Sequence, residues 1–229
     1  MKNLMFTCLA VLVAVSAFAQ RKVEESYSVS SSDAIKLEFK FANDIKLMQW
    51  DKNEVKITAD VTIDDGEGND AYSLKQEKMG SDYIIKADYG DYFDKKKNWG
   101  NNCNTTTEIN YVVYIPKNAD LSVKSISGNL FADSYSGNLT TDLVAGDVEI
   151  KKYNGKLNLK TVAGDLDVAM SKAKIDAKTV TGTIYTDLDI QNSEKKQGSF
   201  DSHVKGIVNN GQELVKLETV AGNIYMRKG

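Results

Sequence analysis

From Val23 to Ile115 apolar and polar residues alternate along the chain. Ile35, Leu37, Phe39 and Phe41 recur at every second position, as do Ile45 and Leu47, and then Val55, Ile57, Ala59, Val61 and Ile63. A period of two puts one side of each segment on a core and the other in water, which predicts strands. Breaks fall at Asn43-Asp44, at Asp51-Lys52-Asn53 and at Asp64-Asp65-Gly66-Glu67-Gly68-Asn69, all rich in residues that tolerate turn geometry. Tyr83 to Ala87 and Ile109 to Ile115 predict a further strand pair. The polar, aromatic stretch between them, Asp88 to Thr107, has no periodicity and predicts a long exposed loop.

In the second half glycine recurs every nine residues, at 128, 137, 146, 155, 164 and 182, with Ala173 in the vacant step. An aliphatic residue stands two positions after each step: Leu130, Leu139, Val148, Leu157, Leu166, Ile175 and Ile184. The residue two before, in turn Ile126, Tyr135, Val144, Tyr153, Val162, Ser171 and Val180, is assigned to the same inward face. Each unit is then a short strand plus a bend. Alternate units are more alike than neighbours: Leu143-Val144-Ala145-Gly146-Asp147-Val148 matches Thr161-Val162-Ala163-Gly164-Asp165-Leu166 and Thr179-Val180-Thr181-Gly182-Thr183-Ile184, whereas Ser134-Tyr135-Ser136-Gly137 matches Lys152-Tyr153-Asn154-Gly155. The structural repeat is therefore eighteen residues, two strands and two corners.

That arithmetic predicts an all-β, single-stranded parallel β-solenoid, or β-helix, with coils stacked at the inter-strand spacing of about 4.8 Å. The alternative is an antiparallel meander or β-sandwich, which leaves the eighteen-residue similarity unexplained. After Leu188 the register is lost over about 189–212, predicting an insertion that projects from the coil. The unit returns at Leu217-Glu218-Thr219-Val220-Ala221-Gly222-Asn223-Ile224, predicting a terminal coil that closes the stack. Residues 20–229 are thus read as one domain, with a looser strand-rich half at 20–118 and a regular half at 119–229.

Residues 1–19 carry Lys2, an apolar run from Leu4 to Val15 and an Ala17-Phe18-Ala19 ending, the pattern of a secretory signal peptide. The run is too short for a transmembrane anchor, and the expected location is the periplasm, the cell surface or the extracellular space. Removal of this segment leaves Cys103 as the only cysteine, so no intrachain disulfide forms. The chain has 29 basic and 32 acidic residues, a net charge of −3, without the basic footprint of a nucleic-acid binder. One His, one Pro and two Cys leave little material for His-based catalysis or zinc sites.

Tyr114-Ile115-Pro116-Lys117 leading into Leu121-Ser122-Val123, followed by the repeated Ser/Ala-Gly-Asn/Asp-aliphatic units, resembles the bacterial putative-adhesin family of exported β-solenoid proteins, DUF4097. The resemblance covers about residues 33–229, more weakly through Phe41 to Leu47, where Asn43 stands near the expected Gly. It implies a surface or envelope role and brings no catalytic residues.

Candidate chemistry is sparse. Calcium-binding nine-residue repeats carry Gly-Gly-x-Gly-x-Asp, whereas here one Gly per unit is followed by Asn129, Asn138, Asp147, Lys156, Asp165 or Thr183, so no metal or other cofactor is expected. Asp165 with Asp167, and Asp187 with Asp189, are spaced for acid/base work as in β-helix enzymes that cleave polysaccharides, but paired carboxylates are common in a chain this acidic. His203 reads as a surface residue of the insertion. Tyr89, Tyr92, Phe93 and Trp99 could offer ring faces to a glycan or protein, or fold back to cover an open end of the solenoid; Tyr185 and Tyr225 form a second aromatic stripe. The expected role is a non-enzymatic adhesin or envelope interaction protein, with a polysaccharide-active enzyme and a purely structural envelope component as the alternatives.

Overall fold

The structure, a computed structural model, describes residues 20–97, 105–197 and 202–229. The chain begins with β1 (Arg21–Ser28), β2 (Ala34–Phe39), β3 (Asp44–Trp50), β4 (Glu54–Ile63), β5 (Ser73–Met79) and β6 (Asp82–Asp88), followed by the short helix α1 (Tyr92–Lys97). Next come β7 (Thr107–Pro116), β8 (Leu121–Ser127), β9 (Asn129–Ala132), β10 (Tyr135–Ser136), β11 (Leu139–Ala145), β12 (Val148–Asn154), β13 (Leu157–Ala163) and β14 (Leu166–Met170). The last are β15 (Ala173–Thr181), β16 (Ile184–Thr186), β17 (Ile190–Gln197), β18 (Ser202–Val208), β19 (Leu214–Ala221) and β20 (Ile224–Lys228).

These strands form two facing sheets. Sheet I runs β1-β4-β7-β3-β9-β12-β14-β20-β16, and sheet II runs β17-β18-β15-β19-β13-β11-β8-β2-β6-β5. Each coil gives one strand to sheet II, turns a glycine corner and gives the next strand to sheet I. Leu121, Leu139 and Leu157 are in-register parallel neighbours, as are Leu130, Val148 and Leu166, so the eighteen-residue coil is the stacking unit. This parallel register excludes the antiparallel sandwich. The core is the space between the sheets, filled by ladders such as Leu121, Leu139 and Leu157, all buried. Full burial of each such side chain is worth about 1.5–3 kcal/mol.

The corners explain the glycines. A Cβ added to Gly146 would lie 2.1 Å from the carbonyl oxygen of Gly128, and one on Gly164 would lie 2.1 Å from that of Gly146. The backbone ladder runs straight through the corner, with Gly146 N–H donating to Ala163 O at 2.9 Å, so stacked coils leave no room for a side chain there. Two side-chain ladders lock the same corner. Thr161, Thr219 and Thr179 hydroxyls donate to the carbonyls of Gly146, Gly164 and Gly222 at 2.8–3.3 Å. On the outside, Asn129, Asp147, Asp165 and Asn223 each accept, through Oδ1, the N–H of the equivalent residue on the adjoining coil at 2.6–3.0 Å.

Nine is an odd number, so alternation cannot continue unbroken through a corner. In β11 the inward residues are Leu139, Thr141 and Leu143; Val144 then points out and the inward phase restarts at Val148. The expectation that the residue two before each step faces inward is therefore corrected for Ile126, Val144, Val162 and Val180, which are 39–51% exposed, and for Ser171, also exposed; Val220, at the same place in the returning unit, points out with them. It holds for Tyr135 and Tyr153, which are buried. A register shift between Ile150 and Tyr153 supplies the extra residue that keeps Tyr153 inside.

Stack order departs from chain order at both ends. The β19–β20 coil does not close the stack, as its position in the sequence suggested. It is inserted between β13–β14 and β15–β16. The 189–212 segment is not a projecting loop either: β17 and β18 extend sheet II as antiparallel strands beyond β15. In the first half, β2–β3 stacks directly on β8–β9, and β6 and β7 lie outside it in different sheets, so they are not a pair. There β5 and β4 pair antiparallel with β6 and β7, and β1 pairs antiparallel with β4, so antiparallel strands terminate both ends. The 20–118 half is thus a continuation of the same two sheets.

Charge on the outer face of sheet II follows stack order. The in-register row reads Lys86, Glu38, Lys124, Asp142, Lys160, Glu218, Lys178, alternating in sign at every step. Stacking in chain order would set Lys160 beside Lys178, and insertion of β19 places Glu218 between them. Opposite charges directly across neighbouring strands stabilise a sheet and like charges oppose it.

Two outcomes follow for denaturant unfolding. Gly164→Ala costs at least about 2 kcal/mol by overpacking, whereas Gly80→Ala, with open space around its added Cβ, costs about 1 kcal/mol for its left-handed backbone. Glu218→Lys creates three consecutive lysines and costs about 1 kcal/mol, an effect that shrinks on raising salt.

Candidate functional site

Tyr89, Tyr92 and Phe93 pack against the core side of the segment 88–97. Tyr89 is buried, its ring in edge contact with Phe41, Tyr72 and Phe93 at centroid distances of 5.5, 5.6 and 5.3 Å. Burial pushes its phenol up to about 12. Phe93 packs against the same core, and Tyr92 donates its hydroxyl to Asp64 Oδ2 at 2.6 Å. Residues 88–97 are therefore not a loop without structure: they contain α1, and Tyr89, Tyr92 and Phe93 pack on the core. The ring faces at Tyr89 and Phe93 are spent on each other. Trp99 and Cys103 lie outside the described residues.

Asp64 is the clamp that holds this segment. Its carboxylate also takes Lys96 Nζ and, at 2.8 Å, the N–H of Thr106. Burial alone would raise its pKa, but the bonds from Lys96, Tyr92 and Thr106 outweigh it and hold the group below its ordinary value.

Tyr185 and Tyr225 sit on adjacent strands at the free edge of sheet I and stack at 5.1 Å with an interplanar angle of 11°. Arg227 lies 5.3 Å from the Tyr225 ring and forks onto Asp167 at 2.6–2.9 Å. Tyr185 stays half exposed.

The carboxylate pairs do not converge. Asp165 accepts the Asn223 N–H, Asp167 is held by Arg227, and Asp187 accepts the N–H of Lys228 at 2.8 Å. Asp147 and Asp165 are parts of the corner ladder. His203 lies on β18, its Nε2 2.7 Å from Asp176 Oδ1 across to β15. Among the described residues no group of three or more His, Cys, Asp or Glu could hold a metal ion.

The surface that the sequence reading missed is the outer face of sheet II. Five of the exposed large apolar side chains form a single row there, in stack order Ile126, Val144, Val162, Val220 and Val180. The alternating charges run parallel to this row, two residues nearer the strand centres. At the β2 end the row opens into a groove of about 460 Å³ lined by Phe39, Lys40, Lys86, Lys124, Ile126 and Val144 among others. The odd nine-residue period was the signal that could have found it, because it forces this position out of phase with the core.

Residues 117–227 match the family model of Toastrack DUF4097. That segment is a Toastrack DUF4097 domain. It spans every coil from β8 to β20, including the inserted one. Among solved structures, the chain is similar to a putative cell adhesion protein from Clostridium sporogenes, at 14% identity and a TM-score of 0.52, covering 91% of this chain and 100% of that one. A putative adhesin from Bacteroides fragilis is 12% identical, with a TM-score of 0.31 over 92% of this chain and 98% of that one. The first likeness is one of fold. No curated protein matches the chain.

The Asp64 clamp predicts a pH dependence. A depressed carboxylate contributes stability that is present above its ordinary value of 3.8 and is lost as pH falls through its lowered folded value. Asp64→Asn should flatten that acid limb in unfolding titrations and speed proteolysis between β6 and β7 at neutral pH.

Proposed function

We propose that this protein is an exported, non-enzymatic interaction protein of the adhesin type, which presents the outer face of sheet II to a protein or glycan partner. One observation carries the reading: exposed large apolar side chains are scattered singly on an ordinary monomer, whereas here, among the described residues, all but Met79 and Tyr185 are concentrated in one row on one face. The DUF4097 domain supports the envelope role by its likeness to a fold named for cell adhesion, and the residue 1–19 pattern supports export. No helix among the described residues is long and apolar enough to cross a membrane. Support for a non-enzymatic role comes from the carboxylates, which are engaged in ladders and ion pairs instead of converging on a cleft.

The test is binding of the purified protein to immobilised cell-envelope material and glycan arrays. Val144→Lys with Val162→Lys should weaken retention at least about tenfold, because each buries a charge in the contact, while leaving the thermal transition in place. Retention that is unchanged would remove the face from the binding surface. Release of products from an acidic polysaccharide, lost in Asp165→Asn, would establish the enzyme instead.

A further inference from the structure

We infer that the partner of this face is a second copy of the same chain, packed sheet II against sheet II about a twofold axis parallel to the strands and midway between β11 and β13. The inference rests on the reading of that face as the interaction surface, and it follows from the order of charges.

Such an axis reverses stack order but keeps each residue's position along its strand, so the apolar row of one copy meets the apolar row of the other. Val144 then faces the partner copy's equivalent of Val162, and Ile126 faces that of Val220. In the charged row the same operation sets Asp142 opposite Lys160 and Lys124 opposite Glu218, each contact occurring twice. An axis centred on β13 would instead align the whole apolar row but pair Lys160 with itself and Asp142 with Glu218. Alternation of sign therefore excludes every axis centred on a strand, and of the axes midway between strands this one lies at the middle of the six strands from β2 to β15. Glu38, Lys124, Asp142 and Lys160 form no ion pair within 4 Å among the described residues, which leaves them to meet a partner.

The size is adequate. Six overlapping strands, β2 to β15 in stack order, span roughly 29 Å, and seven residues of strand span roughly 23 Å. Burying that face on both copies covers roughly 1,300 Å², at the lower end of specific interfaces. Every unit of such an interface is isologous, as a twofold requires.

Sedimentation velocity of the purified protein over about 1–100 µM, at low and high salt, tests the proposal. The expected result is a dimer that Val162→Lys converts to monomer. Asp142→Lys alone and Lys160→Glu alone should each weaken dimerisation at least about tenfold, because like charges then face each other. Mixing these two variants should restore the dimer, since the lysine introduced in one then meets the glutamate introduced in the other. That rescue is specific to contact between copies, because each variant keeps its own like-charge neighbours within the chain. A monomer across the whole range overturns self-association. If Val162→Lys still abolishes retention on envelope material, the face reading survives; if it does not, both fall. A dimer indifferent to the mixed pair overturns the proposed register.

Discussion

The fold depends on one close approach: at the stacked corners of Gly146, Gly164, Gly222 and Gly182 the carbonyl of the adjoining coil's glycine occupies the space where a side chain would stand. Strands that are hydrogen-bonded through a bend must keep their spacing of about 4.8 Å around it, and at these four corners only a residue without Cβ fits. Once the corner is set, everything above and below it is in register. Leucine stacks on leucine, threonine hydroxyl reaches glycine carbonyl, and the Asn/Asp oxygen caps the next coil's N–H. Asn129, Asp147, Asp165 and Asn223 after the glycine are thus Asn or Asp for a structural reason, namely that both offer Oδ1 to a backbone donor on the next coil.

Repetition of this kind creates a problem of its own, because identical coils can stack in more than one order. The solution lies on the outside. The signs of Lys86, Glu38, Lys124, Asp142, Lys160, Glu218 and Lys178 alternate in the order the sheet adopts, whereas chain order would put Lys160 beside Lys178. The inserted coil also fits its neighbours at the corner, with Thr219 donating to Gly164 and Thr179 donating to Gly222. Antiparallel strands at both ends then stop the stack from recruiting further coils edge to edge, a recognised way of blunting exposed sheet edges. Sheet I alone ends on a short three-residue strand, β16, beside the stacked tyrosines.

The same corner geometry produces the surface available for interaction. An odd repeat must lose its phase once per unit, and the loss falls on the residue just before the glycine, Ala145 or Ala163, which leaves the residue before that on the outer face. Because coils stack in register, these outward residues cannot scatter; they line up as Ile126, Val144, Val162, Val220 and Val180. An apolar row beside a row of alternating charge combines a non-directional attraction with a device that fixes registration. The face is thus a by-product of the solenoid's arithmetic, available wherever the side chains at that step are aliphatic.

Much of this was legible in the sequence. The eighteen-residue unit and the two parallel walls follow from spacing, because a local repeat dictates which residues recur at equivalent positions, and the resemblance to DUF4097 set Asn43 near a corner glycine. Tyr185 beside Tyr225 could likewise be read from like units. What spacing could not decide was adjacency and phase. Gly222 reads as the last corner yet lies between Gly164 and Gly182, Tyr89 reads equally as a ligand-facing ring or a folded-back one and is buried, and Val162 reads as core yet faces water. Sequence alone determined what each coil is, since that depends on neighbours a few residues away. Only the tertiary structure decided which coil lies on which and which side of a bend faces in, because those depend on hydrogen bonds and charges between segments far apart in the chain.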